Sequence, residues 1–339
     1  MKRVALSMVL VAGLATTSAM AADMATKAPP APPPPPSPWD VAITAALMTD
    51  YNFRGITQSA HHPSAQAGFE PRYNFNSNWQ GYVGISGESI DFPNNAAAEI
   101  DFYGGIRPTF DKLALDFGVW YYWYPGGNCF GNAPGTSPVA TCTAPAGATV
   151  ANKNLQPLGG NVAVSNVSFY EFYAKATYTF SDQWAAGAQY YYSPNVSGTG
   201  APGNYVTGNV TFTEPSSWWG SSGIGGYISG DVGYWGLGTS NNFYGTGVVG
   251  SPYFAGVKYT SYWNWDAGLG FTYKAFTLDL RYYDTDLSKS QCSVFTSASN
   301  TSFSAGNIST QNPTGLGSNW CGAAYIAKLS FATNLSGIK

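Results

Sequence analysis

Charged residues are scarce in this sequence. Asp, Glu, Lys and Arg make up only 10% of its 339 residues, and it has two histidines and four cysteines. A soluble domain carries about 25% charged residues, so the composition does not fit one. A net charge of −3 without a basic patch excludes nucleic-acid binding. Beyond the N-terminal segment no run reaches about 18 apolar residues, which excludes a membrane-spanning helix.

Catalytic and cofactor motifs are also missing. No HExxH, Walker or GxSxG pattern is present, and the GxGxxG match at 198–203 contains Pro202 and precedes no predicted helix. The sequence has no CxxC, and His61 and His62 lie far from every cysteine, which disfavours a metal site. We therefore predict no cofactor, no metal and no enzymatic activity.

Aromatic residues and glycine are abundant instead. Aromatics reach 16%, there are 40 glycines, and the mean hydropathy is only −0.12. An outer-membrane barrel needs this combination, because one face of each strand meets lipid and the other meets water.

The N-terminal region has the pattern of an exported protein. Basic residues at positions 2 and 3, an apolar run at 4–14 and an Ala-x-Ala motif at 19–21 predict a cleavable signal peptide over 1–21. Residues 22–38 are rich in proline and predict an extended periplasmic linker. This linker is either a plain spacer or a segment that touches peptidoglycan.

From Trp39 onward apolar and polar residues alternate with period two, the pattern of β-strands. Twelve candidate strands cover 39–331, followed by a tail at 332–339. Pro71 and Pro108 lie inside these strands, near ends where a bulge is tolerable. We predict an all-β fold, a transmembrane antiparallel up-and-down β-barrel of about 12 strands.

The predicted connections alternate in length, as expected for short periplasmic turns and long extracellular loops. The segment 214–222 is long for a turn and is the weakest point of the strand count. The short connections are 76–78, 111–112, 181–183 and 274–275, and the long ones are 50–63, 125–165, 237–258 and 284–320.

Charged residues within the strands fall on the face opposite the aromatic stripe. This segregation is expected where one face meets lipid, because a charge there costs about 2–4 kcal/mol. We predict that these charges line a lumen, where they either form a conducting pore or fill and close a narrow barrel. They are Glu70, Arg72, Glu88, Asp101, Arg107, Asp116, Glu171, Lys175, Asp266, Lys274, Asp279, Arg281 and Lys328.

Two loop features have alternative interpretations. Arg54 is either a selectivity charge at the mouth of the pore or a loop-anchoring partner for Asp50. The segment 59–64 contains serines and adjacent histidines, which raises a remote hypothesis of a lipid-modifying enzyme. A third catalytic group and a defined geometry are lacking, so an ordinary loop is favoured.

The four cysteines are expected to form disulfides, because an exported protein reaches an oxidising compartment. Four cysteines allow three pairings. Short sequence separations favour Cys129–Cys142 and Cys292–Cys321, each within one loop region.

Four segments of the sequence resemble the TorF family of proteobacterial porins. They are TDYNFRGITQS at 49–59, FEP at 69–71, GVWYYWYP at 118–125 and YYDTDL at 282–287. The resemblance covers roughly 39–331 and implies an outer-membrane barrel with a channel and no catalytic residues. Many such barrels end on an aromatic residue that the assembly machinery recognises, but here Phe331 is followed by eight more residues.

The sequence therefore favours an outer-membrane porin for passive diffusion of small hydrophilic solutes or ions. The alternative is a non-conducting structural or surface-interaction barrel with disulfide-closed loops. Expected partners are outer-membrane lipids and lipopolysaccharide, the outer-membrane assembly machinery and the solutes themselves, with no nucleic acid. The oligomeric state is left open.

Overall fold

The computed structural model describes residues 37–127, 130–131, 162–163, 166–240, 258–296, 301–309, 311–312 and 315–335. Twelve of the strands are β1 (Trp39–Met48), β2 (Ser64–Asn74), β3 (Trp79–Glu88), β4 (Glu99–Phe110), β5 (Leu113–Trp123), β6 (Phe169–Thr179), β7 (Trp184–Ser193), β8 (Gly203–Thr213), β9 (Ile224–Leu237), β10 (Tyr262–Tyr273), β11 (Phe276–Thr285) and β12 (Ala324–Asn334). They form one closed antiparallel barrel, in which β1 pairs with both β2 and β12. The predicted all-β barrel of twelve strands is confirmed.

Alternation along each strand separates an apolar outer face from a polar inner face. On β2, for example, Phe69 exposes 47% of its surface, whereas the next residue, Glu70, exposes 7%. The other strands repeat this pattern, with large apolar side chains outside. The barrel is therefore surrounded by an apolar belt.

The connections alternate in length, as predicted, except that 214–223 at the short-turn end is as long as 89–98 and longer than 194–202 at the other end. The short-turn end of the barrel carries 75–78, 111–112, 180–183, 214–223 and 274–275, and also the start of β1 and the end of β12. The long-loop end carries 49–63, 89–98, 124–168, 194–202, 238–261 and 286–323. The doubtful 214–223 connection is a turn in which the Trp219 indole donates to Glu214 (2.8 Å).

The prolines do not disturb the barrel. The β2–β3 register is the same before and after Pro71, and the β4–β5 register is the same before and after Pro108. Neither position contains a bulge. The ladder skips Glu70 and Pro71 on β2, and Arg107 and Pro108 on β4, and then resumes in the same register.

The end of the last strand differs from the prediction. The sequence placed it at Phe331, with a tail over 332–339, but β12 continues to Asn334, which lies opposite Ala42 of β1. The added residues pair with the start of β1, whose backbone N–H and C=O groups would otherwise be unpaired.

Several small elements lie at the long-loop end. They are helix α1 (Lys289–Thr296), a hairpin of Asn52–Phe53 with Ile56–Thr57, and a hairpin of Thr301–Phe303 with Leu316–Ser318. A further short pair joins Phe130–Gly131 to Val162–Ala163. Within the described ranges, no helix has the length and apolar character to cross a membrane.

Candidate functional site in the barrel lumen

The loop at 49–63, here called the plug, turns inward and crosses the lumen. The Tyr51 hydroxyl donates to Glu99 on β4 (2.6 Å), and the Tyr262 hydroxyl on β10 donates to the Arg54 carbonyl (3.0 Å). A Cβ added to Gly55 would meet Thr285 on β11 at 2.2 Å. Since these strands lie around the barrel wall, the plug occupies the lumen between them.

Arg54 stands at the tip of the plug and forms a bidentate ion pair with Glu171 on β6 (2.8 and 2.7 Å). The side chains of Arg54 and Glu171 are only 5% and 1% exposed. The guanidinium carbon also lies over three rings of the wall, those of Tyr191 (5.0 Å), Tyr205 (4.2 Å) and Trp235 (4.4 Å). Such contacts favour a desolvated cation.

This ion pair keeps Arg54 charged in a dry site. Burial opposes the charge, but the carboxylate of Glu171 outweighs it and raises the pKa of Arg54 above its ordinary value. The loop-anchoring interpretation named the wrong partner, because Arg54 pairs with Glu171 and not with Asp50. A role of Arg54 as a selectivity charge stays a prediction. Asp50 instead accepts hydrogen bonds from Thr57 (2.5 Å) and Ser59 (2.9 Å).

Apolar packing seals the plug against the other long loops. Ile56 of the plug is 4% exposed and belongs to a buried cluster with Trp235, Tyr262 and Trp320. Backbone hydrogen bonds tie the plug to the 286–323 and 89–98 loops, through Thr57 N to Trp320 O (3.0 Å) and Asp91 N to Gln58 O (2.9 Å). The described part of the long-loop end is thus a packed core.

A disulfide joins Cys292 to Cys321 within this core, the pairing that the sequence separation favoured. The two residues are 1% and 3% exposed, and their Cα atoms are 5.7 Å apart. Cys129 and Cys142 lie outside the described residues. The 286–323 loop is therefore closed covalently beside the plug.

The short-turn half of the lumen is charged but solvent-accessible. Arg107 bonds Glu70 (2.6 and 3.0 Å) and Asp116 (3.2 Å), and Arg72 bonds Glu70 (2.6 Å). The side chains of Arg72 and Arg107 remain 26% and 28% exposed. These are the predicted lumen residues of strands β2, β4 and β5.

A second group of ion pairs lies across the barrel from the pairs of Arg72 and Arg107. Arg281 bonds Asp266 (2.5 Å) and Asp279 (2.9 Å). Lys175 lies 4.4 Å from the centroid of the Tyr173 ring, and Lys328 donates to Gln66 (3.1 Å). The lumen thus carries charges of both signs; its arginines form ion pairs, whereas Lys175 and Lys328 contact a ring and an amide.

Lys274 is the one predicted lining residue that lies elsewhere. It occupies the two-residue turn between β10 and β11, with φ of +53°, and is exposed. Its Nζ stands 5.2 Å from the ring centroid of Tyr273, which faces outward. The tight turn needs a left-handed residue and so breaks the alternation on which the prediction rested.

Three other predicted lining residues face inward but do not border open space. Glu88, Asp101 and Glu171 lie at the long-loop end, at 1–3% exposure, beneath the plug. Glu99, the first residue of β4, stands beside Glu88 and Asp101 and is absent from the predicted lining residues. Extending the alternation back by one residue would have placed Glu99 on the same face as Asp101.

Tyr51 of the plug binds Glu99 at this place. Burial is the main cause that raises the pKa of the Tyr51 phenol well above its ordinary value, followed by the negative charges of Glu99 and Asp101. Tyr51 therefore stays a neutral hydrogen-bond donor to the carboxylate.

The histidine segment does not assemble a nucleophile and base. His61 Nδ1 lies 2.9 Å from Asp50, and Nε2 lies 3.1 Å from the Asn319 carbonyl. Ser59 donates to Asp50 and to the His62 carbonyl (2.7 Å), and Ser64 donates to the Ser89 carbonyl (2.7 Å). Neither hydroxyl meets an imidazole nitrogen, as nucleophilic catalysis would need.

The hydrogen bond that His61 donates to Asp50 is the main cause that raises the pKa of His61 above its ordinary value. Both ring nitrogens face oxygen acceptors, which only the protonated imidazole can serve. His61 therefore joins the plug to the 286–323 loop most strongly when it is charged.

These features define a twelve-stranded closed barrel whose lumen is plugged at one end. A family model described as "Bacterial protein of unknown function (Gcw_chp)" matches residues 33–156, somewhat more than a third of the chain. No curated protein matches the sequence.

Solved structures share the barrel at low similarity. A chain from a study of the in-meso crystallization of membrane proteins is 8% identical, with a TM-score of 0.42 over 88% of this chain and 84% of that one. The NanC porin is 9% identical (TM-score 0.40, covering 86% and 98%), and the KdgM porin is 7% identical (TM-score 0.39, covering 86% and 98%). Similarity at this level supports no inference about activity.

Proposed function

We propose that the protein is a barrel of the bacterial outer membrane through which small hydrophilic solutes or ions diffuse passively, and that the plug holds it closed in this conformation. The observation that carries the proposal is the charged, solvent-accessible short-turn half of the lumen inside an apolar belt. A belt of this kind suits lipid, and a charged interior suits hydrated solutes.

Displacement of the plug would leave the barrel ladder intact. Its 52–57 hairpin is a separate two-stranded sheet and takes no part in the barrel ladder. It is held by side-chain packing, the Arg54–Glu171 pair and a few loop hydrogen bonds. Loop displacements of this type are an established way to gate a site.

The proposal includes partners and location. Because β1 starts and β12 ends at the short-turn end, that end faces the periplasm, and the apolar belt contacts lipids, with lipopolysaccharide on the long-loop side. Insertion requires the outer-membrane assembly machinery. This porin role is the one that the resemblance to the TorF family implies. The proposal includes no catalytic step.

A second candidate function is a non-conducting structural or surface-interaction barrel. The buried Arg54–Glu171 pair favours it, because a dry ion pair under an aromatic core closes the lumen firmly. The two candidates share the fold and differ only in whether the plug opens.

Single-channel recording in planar bilayers separates them. We expect rare, small conductance steps from the refolded wild-type protein and frequent steps from Arg54→Ala, which frees the plug. Arg72→Ala is the matched control, because it removes a guanidinium from the short-turn half and leaves the plug untouched. Absence of steps from all three proteins at any applied voltage would reject the porin and favour the non-conducting barrel.

A further inference from the structure

Three carboxylates meet at the long-loop end of the β3–β4 pair. The strand register places Glu88 opposite Glu99 and Ser86 opposite Asp101. Glu88, Glu99 and Asp101 are 3%, 1% and 3% exposed, and one oxygen from each lies within 4.8 Å of the others. We call these three residues the acidic cluster.

The acidic cluster lacks a direct counter-charge. Among the described residues, no Lys, Arg or His nitrogen forms an ion pair with any of the three carboxylates. Gln66 stands between them and the nearby Lys328, since it donates to Glu88 (2.8 Å) and accepts from Lys328 (3.1 Å). Buried carboxylates normally have a cationic or metal partner.

Two oxygens of the cluster have no hydrogen-bond partner. Glu88 Oε2 and Asp101 Oδ1 are buried and unsatisfied, although their other oxygens accept from Gln66 and Ser86. The indole N–H of Trp120 approaches Asp101 without meeting hydrogen-bond geometry. Buried polar atoms in native proteins are nearly always satisfied, so each such atom requires an explanation such as a bound ion.

We propose that Glu88, Glu99 and Asp101 bind one calcium ion beneath the plug. Ca²⁺ takes only oxygen ligands, at about 2.3–2.6 Å, so two ligands on opposite sides lie roughly 5 Å apart, which fits the observed spacing. Mg²⁺ demands bonds of about 2.0–2.1 Å and retains more water, which suits this enclosed site less well. Lys328, one amide away, offsets the remaining negative charge.

The proposed ion would connect the barrel wall to the plug. Glu99 accepts from Tyr51 of the plug, so an ion that fixes the Glu99 carboxylate also fixes the acceptor that positions Tyr51. Outer-shell contacts of this kind orient ligands and are themselves oriented by the ion. The inference does not depend on whether the barrel conducts.

The test is calcium binding by the refolded full-length mature protein in detergent after treatment with EGTA. Isothermal titration should show one Ca²⁺ per chain. Tb³⁺, which replaces Ca²⁺, should luminesce on excitation of tyrosine or tryptophan, because Tyr51 and Trp120 adjoin the site. We expect Glu99→Gln and Asp101→Asn each to weaken binding at least tenfold. Asp231→Asn is the matched control, a lumen carboxylate outside the cluster that accepts from Thr207, and it should bind as the wild type does.

The folding of every variant is checked by circular dichroism and by the gel shift between heated and unheated protein. If Glu99→Gln does not fold, Glu88→Gln replaces it. Tyr51→Phe should bind Ca²⁺ with Tb³⁺ luminescence reduced. Absence of saturable binding by the wild-type protein, or equal affinity in the folded cluster variants, overturns the proposal and leaves the carboxylates sharing protons.

Discussion

The two halves of the lumen use the same ionic chemistry in different surroundings. At the long-loop end Arg54 and Glu171 are almost fully buried and are surrounded by aromatic rings. At the short-turn end Arg107 and Glu70 form an equally short pair, but the guanidinium is 28% exposed. One half is therefore packed like a protein core, whereas the charges of the other half remain partly exposed to solvent.

This difference shows that solvent, not residue type, decides what a lumen charge does. A desolvated pair holds its surroundings in place, because removing one partner leaves an uncompensated charge. A pair in contact with water stabilises the fold only weakly, because solvent screens it. An inward-facing charge in a barrel therefore indicates a channel only when it is also exposed.

The test with the largest expected effect removes one carboxylate from each half of the lumen. Glu171→Gln leaves Arg54 buried without its counter-ion and should lower the free energy of unfolding by about 3–5 kcal/mol. Asp279→Asn leaves Arg281 paired with Asp266 in a more exposed site and should cost about 1 kcal/mol. Urea titration of the protein in lipid vesicles measures both.

The double variant Arg54→Met/Glu171→Gln serves as the control, since it removes both charges and should recover part of the loss. Equal losses for Glu171→Gln and Asp279→Asn would mean that the two halves do not differ.

The second test removes the disulfide from the packed half. Cys292→Ser with Cys321→Ser opens a loop with a sequence separation of 29 residues, for which chain entropy predicts a loss of about 3–4 kcal/mol. The loss should be local, because the 286–323 loop lies outside the barrel ladder. We expect faster tryptic cleavage after Lys289, with the gel shift of the folded barrel unchanged. An unaltered cleavage rate would contradict this.

The third test compares two glycines with positive φ, one at each end. Gly55 in the plug has φ of +81°, and an added Cβ would approach Thr285 to 2.2 Å. Gly220 in the 214–223 turn has φ of +57° and nothing within 4 Å of the added atom. Gly55→Ala should cost about 2–4 kcal/mol, from backbone strain plus overpacking, and Gly220→Ala about 1 kcal/mol from strain alone. Similar losses in urea titrations would show that the plug is loosely packed.

Local patterns were sufficient to predict the barrel wall. A period of two fixes which face each strand residue takes, so Glu70, Arg107 and Asp116 could be assigned to the lumen from sequence alone. Periodicity does not predict positions at which a neighbouring strand or a turn decides the geometry. Lys274 follows its turn and not the strand, and β12 extends as far as the free edge of β1.

The plug and the acidic cluster could not be predicted in this way. Arg54 and Glu171 are 117 residues apart, and only closure of the barrel brings them together. Glu88, Glu99 and Asp101 meet only through the β3–β4 register, and cysteine and histidine spacing carries no signal for a site made of carboxylates. Contacts across a lumen depend on how loops fold inward, for which a single sequence has no periodic signal.

The smallest test concerns pH and the anchoring of the plug. His61 is joined to Asp50 of the plug and to Asn319 of the 286–323 loop, and its pKa is raised in the folded state. The stabilisation that protonated His61 contributes should therefore be complete below about pH 6.5, the pKa of histidine in the unfolded chain, and should disappear as pH rises through the pKa of His61 in the folded protein. The imidazole is partly exposed, so the effect should stay below about 1 kcal/mol.

Two variants separate this contribution from other titrations. His61→Gln should abolish the loss of thermal stability as pH rises through this range. His62→Gln should still show that loss, because the His62 side chain is 69% exposed and its 3.3 Å contact is with an exposed Asp91. NMR titration of the imidazole protons measures the His61 pKa directly. A His61 pKa at or below 6.5, or identical pH profiles for the two variants, would show that His61 does not hold the plug. The difference in stability between the two ends of the lumen would then be independent of pH.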